Sequence, residues 1–215
     1  MAIITISREY GSDGDQICQG IVSAKPYVLV DKKDMGKVLS QYGMISFGDF
    51  YDADHVFMDR FDKDKDSIVK MLNQTILAFA RQDNIIIQGR GGFAVLQGYS
   101  NVLNILIKAP FAVRVSHVMK AMEISSQKEA EKLVEQNDRV RKSFLQTYYG
   151  IKLDDSKQFD LVIDTGKIPD ELAVRWIVEA SDWLDKQKDG LGRNVKTILV
   201  DSVLEDVVKK SLKAR

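Results

Sequence analysis

The chain has 215 residues, with 31 Lys plus Arg against 31 Asp plus Glu, a length that suits one domain or one domain with a small appendage. Hydrophobic residues at 45% and charged residues at 29% exclude a disordered chain, and the balanced charge excludes an overall field drawing it to nucleic acid or a membrane. The single cysteine, Cys18, cannot close an internal disulfide; Met1 to Thr5 lack a basic n-region and a cleavage pattern, and apolar runs such as Val102 to Ile107 fall far short of a membrane span, so the expected location is cytoplasmic.

Short β-rich runs alternate with longer helical patterns. Ala2 to Ser7 reads as a strand, a turn follows at Gly11 to Gly14, and a helix runs from about Asp15 to Ala24, carrying Cys18 as a buried small apolar residue. Tyr27 to Val30 is a second short strand and Lys32 to Tyr42 a helix. Residues 43–62 are aromatic and acidic, with Phe47, Phe50 and Tyr51 among Asp49, Asp52 and Asp54, and read as an irregular or short-helical insertion. Asp66 to Arg81 has apolar residues close to a 3.6 period and is a helix. Ile85 to Ile87 and Val102 to Ile107 are continuous apolar strands, Ser126 to Gln146 is a long charged helix with a serine cap, Phe159 to Asp164 is the last core strand, and Asp170 to Lys186 is a helix.

Residues 188–194 read as a linker. Beyond it, Val195 to Val200 is a candidate strand and Val203 to Leu212 an amphipathic helix, which docks either on this domain or on a second copy, giving a homodimer through the C-terminal extension. Continuous apolar strands separated by helices predict a three-layer α/β fold, a doubly wound and mostly parallel sheet. Ligands in such folds sit at the carboxyl ends of the strands.

The first such end is Ser7-Arg8-Glu9-Tyr10-Gly11-Ser12-Asp13-Gly14-Asp15-Gln16. Glycines between a strand and a helix let backbone N–H groups converge, and the helix N-terminus adds partial positive charge, which together form an anion site. Against the pattern G-x-x-x-x-G-K-[ST], Gly14 stands at the lysine position and Gln16 at the hydroxyl position. Asp13 and Asp15 repel a phosphate, unless they cap the helix or hold Mg²⁺.

Ile4-Thr5-Ile6-Ser7-Arg8-Glu9-Tyr10-Gly11-Ser12 resembles the opening of the cytidylate kinase-like family, a branch of the nucleoside monophosphate kinases. Val30-Asp31-Lys32, Ile87 to Gly92, Lys108 to Val115, Asp138 to Arg141, Tyr148-Tyr149-Gly150 and Phe159 to Thr165 resemble later segments of that family in order and spacing. The resemblance covers roughly residues 2 to 185. It implies a P-loop kinase-like domain over 1–187, an acceptor-binding insertion at about 43–62 and a lid at about 125–150, with 188–215 as linker and extension. It also implies phosphoryl transfer from ATP, with Mg²⁺, to a nucleoside monophosphate such as CMP. A glycine near the lysine position is a trait of this branch; the two aspartates are not.

Arginine can replace a lysine here, because its planar fork grips phosphate oxygens in pairs. Arg8 lies at the first strand end and Arg90 at the third, between glycines that allow close approach. Arg139 and Arg141 are two apart on the long helix and do not share a face; by analogy with kinase lids, Arg141 closes over the phosphates. The expected catalytic residues are therefore Arg8, Arg90 and Arg141, the expected phosphate-binding residues Gly11, Ser12, Asp13, Gly14, Asp15 and Gln16. Asp31 reads as an acceptor-nucleotide residue or a helix cap, Asp138 as a base contact or a partner of Arg141, and Arg139 as an acceptor-side residue. Arg114 reads as a surface helix residue, and His55 and His117 as structural. A nucleotide-binding protein without catalysis and a kinase for another small molecule are the alternatives.

Overall fold

A computed structural model describes residues 2–42, 65–187 and 192–214; the expected insertion at 43–62, with His55, and residues 188–191 of the linker lie outside them. Strands β1 (Ile3–Arg8), β2 (Val28–Val30), β3 (Ile85–Gln88), β4 (Val102–Lys108) and β5 (Leu161–Asp164) form one five-stranded sheet in the order β2-β3-β1-β4-β5. Every pairing is parallel, with Ile4 opposite Ile86 on one side and Leu103 on the other. β1 is therefore central, and the loop that follows it leaves from the middle of the sheet's carboxyl edge.

The helices are α1 (Gly14–Ala24), α2 (Lys32–Gln41), α3 (Lys65–Ala80), α4 (Gly92–Val95), α5 (Phe111–Ala121), α6 (Gln127–Tyr149), α7 (Asp170–Lys186) and α8 (Ser202–Lys213). Successive strand residues point to opposite faces, and this divides the core in two. Ile3, Ile85 and Ile87 pack with Val38, Leu39, Ile76 and Phe79 beneath α2 and α3. Ile4, Ile6 and Ile86 pack with Ile17, Ile21 and Ile177 beneath α1 and α7. All of these are fully buried, each worth about 1.5–3 kcal/mol in transfer. The three-layer parallel fold expected from the sequence is the fold observed.

Helix ends follow their local chemistry. Asp31 caps α2 through Oδ1, which accepts from the N–H groups of Lys33 and Asp34 at 2.7 and 3.1 Å, while Asp34 Oδ2 accepts from the Asp31 N–H. Ser126 Oγ accepts from the Glu129 N–H at the start of α6, and Gly150, at φ 65°, ends it.

The C-terminal segment departs from expectation. Val195 to Val200 is not a strand: Val195–Thr197 is a 3-10 turn capped by Asn194, and among the described residues the segment before it meets the body in an isolated parallel bridge between Tyr99 and Arg193. Val195, Ile198 and Val200 instead pack against the α2–α3 core layer, so their apolar spacing serves burial without a ladder. Leu204 and Val208 of α8 are buried in the same layer. Tyr42 Oη donates to Asp201 Oδ1 at 3.1 Å, Arg81 Nη1 donates to the Ile198 carbonyl at 2.7 Å, and Lys196 Nζ lies 2.8 Å from Asp83 Oδ1. The extension thus docks on its own domain. Among the described residues, no helix is long and apolar enough to cross a membrane.

Candidate phosphate-binding site

The turn after β1 works because two glycines have no side chain. Gly11 sits at φ 80°, and a Cβ there would lie 2.7 Å from the Arg114 carbonyl oxygen. Gly14 opens α1, one residue earlier than the sequence pattern predicts, and a Cβ there would lie 2.7 Å from Arg8 Cβ. Ser12 is fully buried, and its hydroxyl turns inward, 2.9 Å from the Glu9 carbonyl and 3.2 Å from that of Ile107. It pins the loop to β4 rather than offering its oxygen to a ligand.

Each of the two aspartates is engaged by a side chain of the surrounding fold. Asp13 occupies the cap position of α1 at φ 58°, yet its side chain makes no capping hydrogen bond. Its Oδ2 lies 2.8 Å from His117 Nδ1, which is also 3.1 Å from the Gly11 carbonyl oxygen. Asp15 Oδ1 accepts from Arg8 Nε at 3.1 Å and Gln88 Nε2 at 2.8 Å. The first-turn N–H groups of α1 have no partner within the helix and no side-chain cap from Asp13. The hydroxyl position, which directly follows the lysine position, is Asp15 and not Gln16; Gln16 is one residue further along the same exposed first turn.

The loop from Arg8 to Gln16, His117 of α5, Met122 just after α5, and Arg141 of α6 enclose an open cleft of about 160 Å³. That is below the roughly 300 Å³ at which pockets for whole drug-sized ligands begin, and it suits phosphate groups. Arg141 lies 5.3 Å from the Tyr10 ring centre, and its Nη1 is buried with no hydrogen-bond partner among the described residues. Burial pushes its guanidinium down to about 10; the charges of Arg8 and Arg90 act in the same direction, against Asp138 and Asp15. Arg8 runs across Gly89, where a Cβ would lie 2.8 Å from Arg8 Nη1. Arg90 holds φ 56° and stacks 5.8 Å from the Phe144 ring centre. It is not part of the cleft wall, but its charge reaches both Arg141 and Lys32, whose ammonium is pushed below its ordinary value by burial and then by Arg90.

Asp138 does not pair directly with Arg141. Its Oδ1 accepts from the Tyr10 N–H at 3.2 Å and its Oδ2 from Arg114 Nη1 at 2.7 Å. Arg139 is exposed on another face of α6, as its two-residue offset requires. Asp31 spends its Oδ1 on the α2 cap described above.

Arg114 is the largest departure from the sequence reading. It is 6% exposed and not a surface residue. Its Nε donates to the Ala109 carbonyl at 3.1 Å and its Nη1 to the Tyr10 carbonyl at 3.2 Å, and Glu9 Oε2 lies 3.4 Å away. Its spacing of four from the buried Val118 is the signal that places it on the inner face of α5. His117, three further on, reaches the loop; no sequence pattern links it to Asp13. Gln88 likewise joins Asp15 only through the fold.

No group of three or more His, Cys, Asp or Glu side chains suited to a metal occurs among the described residues. A Mg²⁺ that keeps its waters and binds substrate phosphates needs only one or two carboxylates. Asp15, 72% exposed at its side chain and at the place of the usual hydroxyl ligand, fits that requirement.

A family model for the cytidylate kinase-like family matches residues 3–167. A cytidylate kinase of Methanosarcina mazei is 36% identical over 96 residues, 44% of this chain and 52% of that one. One from Methanocaldococcus jannaschii is 33% identical over 109 residues, 50% of this chain and 61% of its own. One from Sulfurisphaera tokodaii is 27% identical over 164 residues, 69% of this chain and 87% of its own. The chain thus spans between half and two thirds of the length of the first two relatives. A crystal structure of an uncharacterised protein from Eubacterium ventriosum superposes with a TM-score of 0.65 at 22% identity, over 85% of this chain and 99% of that one. The structure of TT1252 from Thermus thermophilus does so at 0.52 and 13% identity, over 84% and 97%. Both share the fold.

Proposed function

This chain belongs to the cytidylate kinase-like family, and from that premise we propose that it is an ATP-dependent nucleoside monophosphate kinase whose acceptor is CMP. The observation that carries the reading is Arg141. A guanidinium whose buried Nη1 has no partner among the described residues, and which feels the charges of Arg8 and Arg90, is costly unless an anion arrives. Phosphate oxygens are the anion that the adjoining loop and helix terminus are built to receive.

Phosphoryl transfer asks a protein mainly to position two nucleotides and to neutralise charge. The loop amides from Gly11 to Gln16 and the N-terminus of α1 take the donor phosphates. Arg141 closes over them from α6, and Arg8 supplies the charge a lysine at position 14 would supply. Arg90, beside Lys32, takes the acceptor phosphate side, with Asp31, Asp138 and Arg139 on elements that flank it. Asp15 would hold a divalent ion, which would offset the charge of the phosphates there. An acceptor phosphate oxygen forms a bond to the γ-phosphorus as the bond from that phosphorus to the bridging oxygen breaks, leaving two nucleoside diphosphates.

Gly14 in the lysine position favours a second reading, nucleotide binding without turnover. One experiment separates the two. The purified chain is given ATP, Mg²⁺ and CMP, UMP, dCMP, AMP or GMP in turn, and diphosphate formation is followed alongside ATP binding. Turnover preferring CMP is the expected result; ATP binding without product from any acceptor would establish the second reading instead.

A further inference from the structure

We propose that His117 is a positioning residue that holds the Asp13 carboxylate off the N-terminus of α1, keeping the loop amides open to a nucleotide phosphate. The inference rests on the phosphate-site reading above and adds a residue to it.

Asp13 has the residue type that caps helices best, and it stands at the cap position of α1. Left to local chemistry, its carboxylate would accept from the first-turn N–H groups and fill the anion site from within. The structure does the opposite. Asp13 adopts φ 58° with no capping hydrogen bond, a left-handed conformation that costs a non-glycine residue energy. Its carboxylate lies instead 2.8 Å from His117 Nδ1.

The imidazole is itself fixed. Nδ1 faces two acceptors, Asp13 Oδ2 and the Gly11 carbonyl oxygen at 3.1 Å, so the proton must reside on that nitrogen. One N–H therefore holds the side chain of Asp13 and the backbone of Gly11. His117 also influences Asp170 at the start of α7, whose carboxyl is pushed up by burial, then by Asp13 and Glu171, and pulled back by His117. Both His117 and Asp13 line the phosphate cleft, so the contact sits at the ligand and not behind it.

The test is a sign reversal between two variants. ATP and inorganic tripolyphosphate binding are measured by calorimetry for the wild-type chain, His117→Ala, His117→Gln and the double variant His117→Ala with Asp13→Gly, which removes the capping side chain at a backbone conformation glycine accepts. The released carboxylate should weaken binding of both ligands roughly tenfold in His117→Ala, raising KM for ATP more than it lowers kcat. Removing that carboxylate in the double variant should restore most of the loss, and His117→Gln, which keeps an N–H donor, should bind near wild type. A purely structural histidine would instead show a loss that Asp13→Gly does not repair. Unchanged binding by His117→Ala, or a double variant as weak as the single one, overturns the proposal while the phosphate-site reading stands. No binding by the wild-type chain overturns that reading, and the proposal with it.

Discussion

Arg114 Nη1 and Asp138 Oδ2 meet at 2.7 Å with their side chains only 7% and 16% exposed, and through them α6 is fastened to the loop after β1. Asp138 uses its other oxygen on the Tyr10 N–H, and Arg114 also holds the Tyr10 carbonyl. One buried ion pair therefore grips the backbone of the residue that stacks on Arg141. Removing one member of such a pair strands a charge, which costs about 3–5 kcal/mol. Asp138→Ala should lower the unfolding free energy by roughly 3 kcal/mol, read from urea titration. Replacing both members by apolar residues, Arg114→Met with Asp138→Leu, should recover part of that stability, but not the share carried by the Tyr10 and Ala109 backbone groups that lose their partners, and should weaken nucleotide binding. A double variant no more stable than Asp138→Ala would contradict this account.

Arg141 should show the opposite balance of stability and function. Its guanidinium is held down to about 10 by burial and by Arg8, so its charge is a burden in the absence of ligand. Arg141→Met keeps the packing on Tyr10 and removes that burden. Its unfolding free energy should equal or exceed that of the wild type, while kcat/KM falls about 10²-fold. A substantial loss of stability in this variant would show that Arg141 is structural.

The sheet was legible because its signal is local. Ile3-Ile4-Thr5-Ile6 and Ile85-Ile86-Ile87 are buried on both faces, and a strand covered on both sides shows as an unbroken apolar run. The loop was legible for a similar reason, since Gly11 and Gly14 announce a turn whose backbone approaches other atoms closely. What surrounds the loop was not. The partners of Asp13, Asp15 and Asp138 are His117, Gln88 and Arg114, separated from them by 104, 73 and 24 residues. Only the folded layers bring them together. The apparent strand after Val195 fails for the converse reason: Val195, Ile198 and Val200 satisfy a packing surface, and among the described residues the segment pairs with no strand of the sheet.

Cys18 offers a reporter of the core beneath α1. Burial pushes its thiol from 9.0 up to about 12, with the nearby Arg8 charge opposing and Asp15 assisting. The folded thiol stays neutral where the unfolded one ionises, so its contribution to stability is complete below about pH 9 and is lost as pH rises toward 12. Iodoacetamide should therefore label Cys18 in native protein at pH 8.5 only as fast as the chain opens, and in urea at the rate of a free thiol. Cys18→Ala should flatten the part of the alkaline stability loss between those two pH values, measured by urea unfolding at a series of pH. Rapid labelling of the native chain would show that the thiol is accessible and would refute the burial argument.

The missing lysine has a steric counterpart. A Cβ at Gly14 would lie 2.7 Å from Arg8 Cβ and 2.9 Å from Arg8 Cγ, both below any ordinary contact. A side chain at position 14 and an arginine at position 8 thus exclude each other, and the loop carries its charge on Arg8. Gly14→Lys alone should weaken ATP binding by about tenfold and lower the melting temperature, because the added side chain displaces Arg8 from Asp15 and from its path over Gly89. Removing the obstruction at the same time, with Arg8→Gly and Gly14→Lys together, should return ATP binding to within a few-fold of wild type, while the fold loses the roughly 0.5–1 kcal/mol of stability that a glycine costs in a strand. Calorimetric titration of the two variants with ATP distinguishes the outcomes. If Gly14→Lys binds as tightly as the wild-type chain, position 14 has room for a side chain and Arg8 is not standing in the lysine's place.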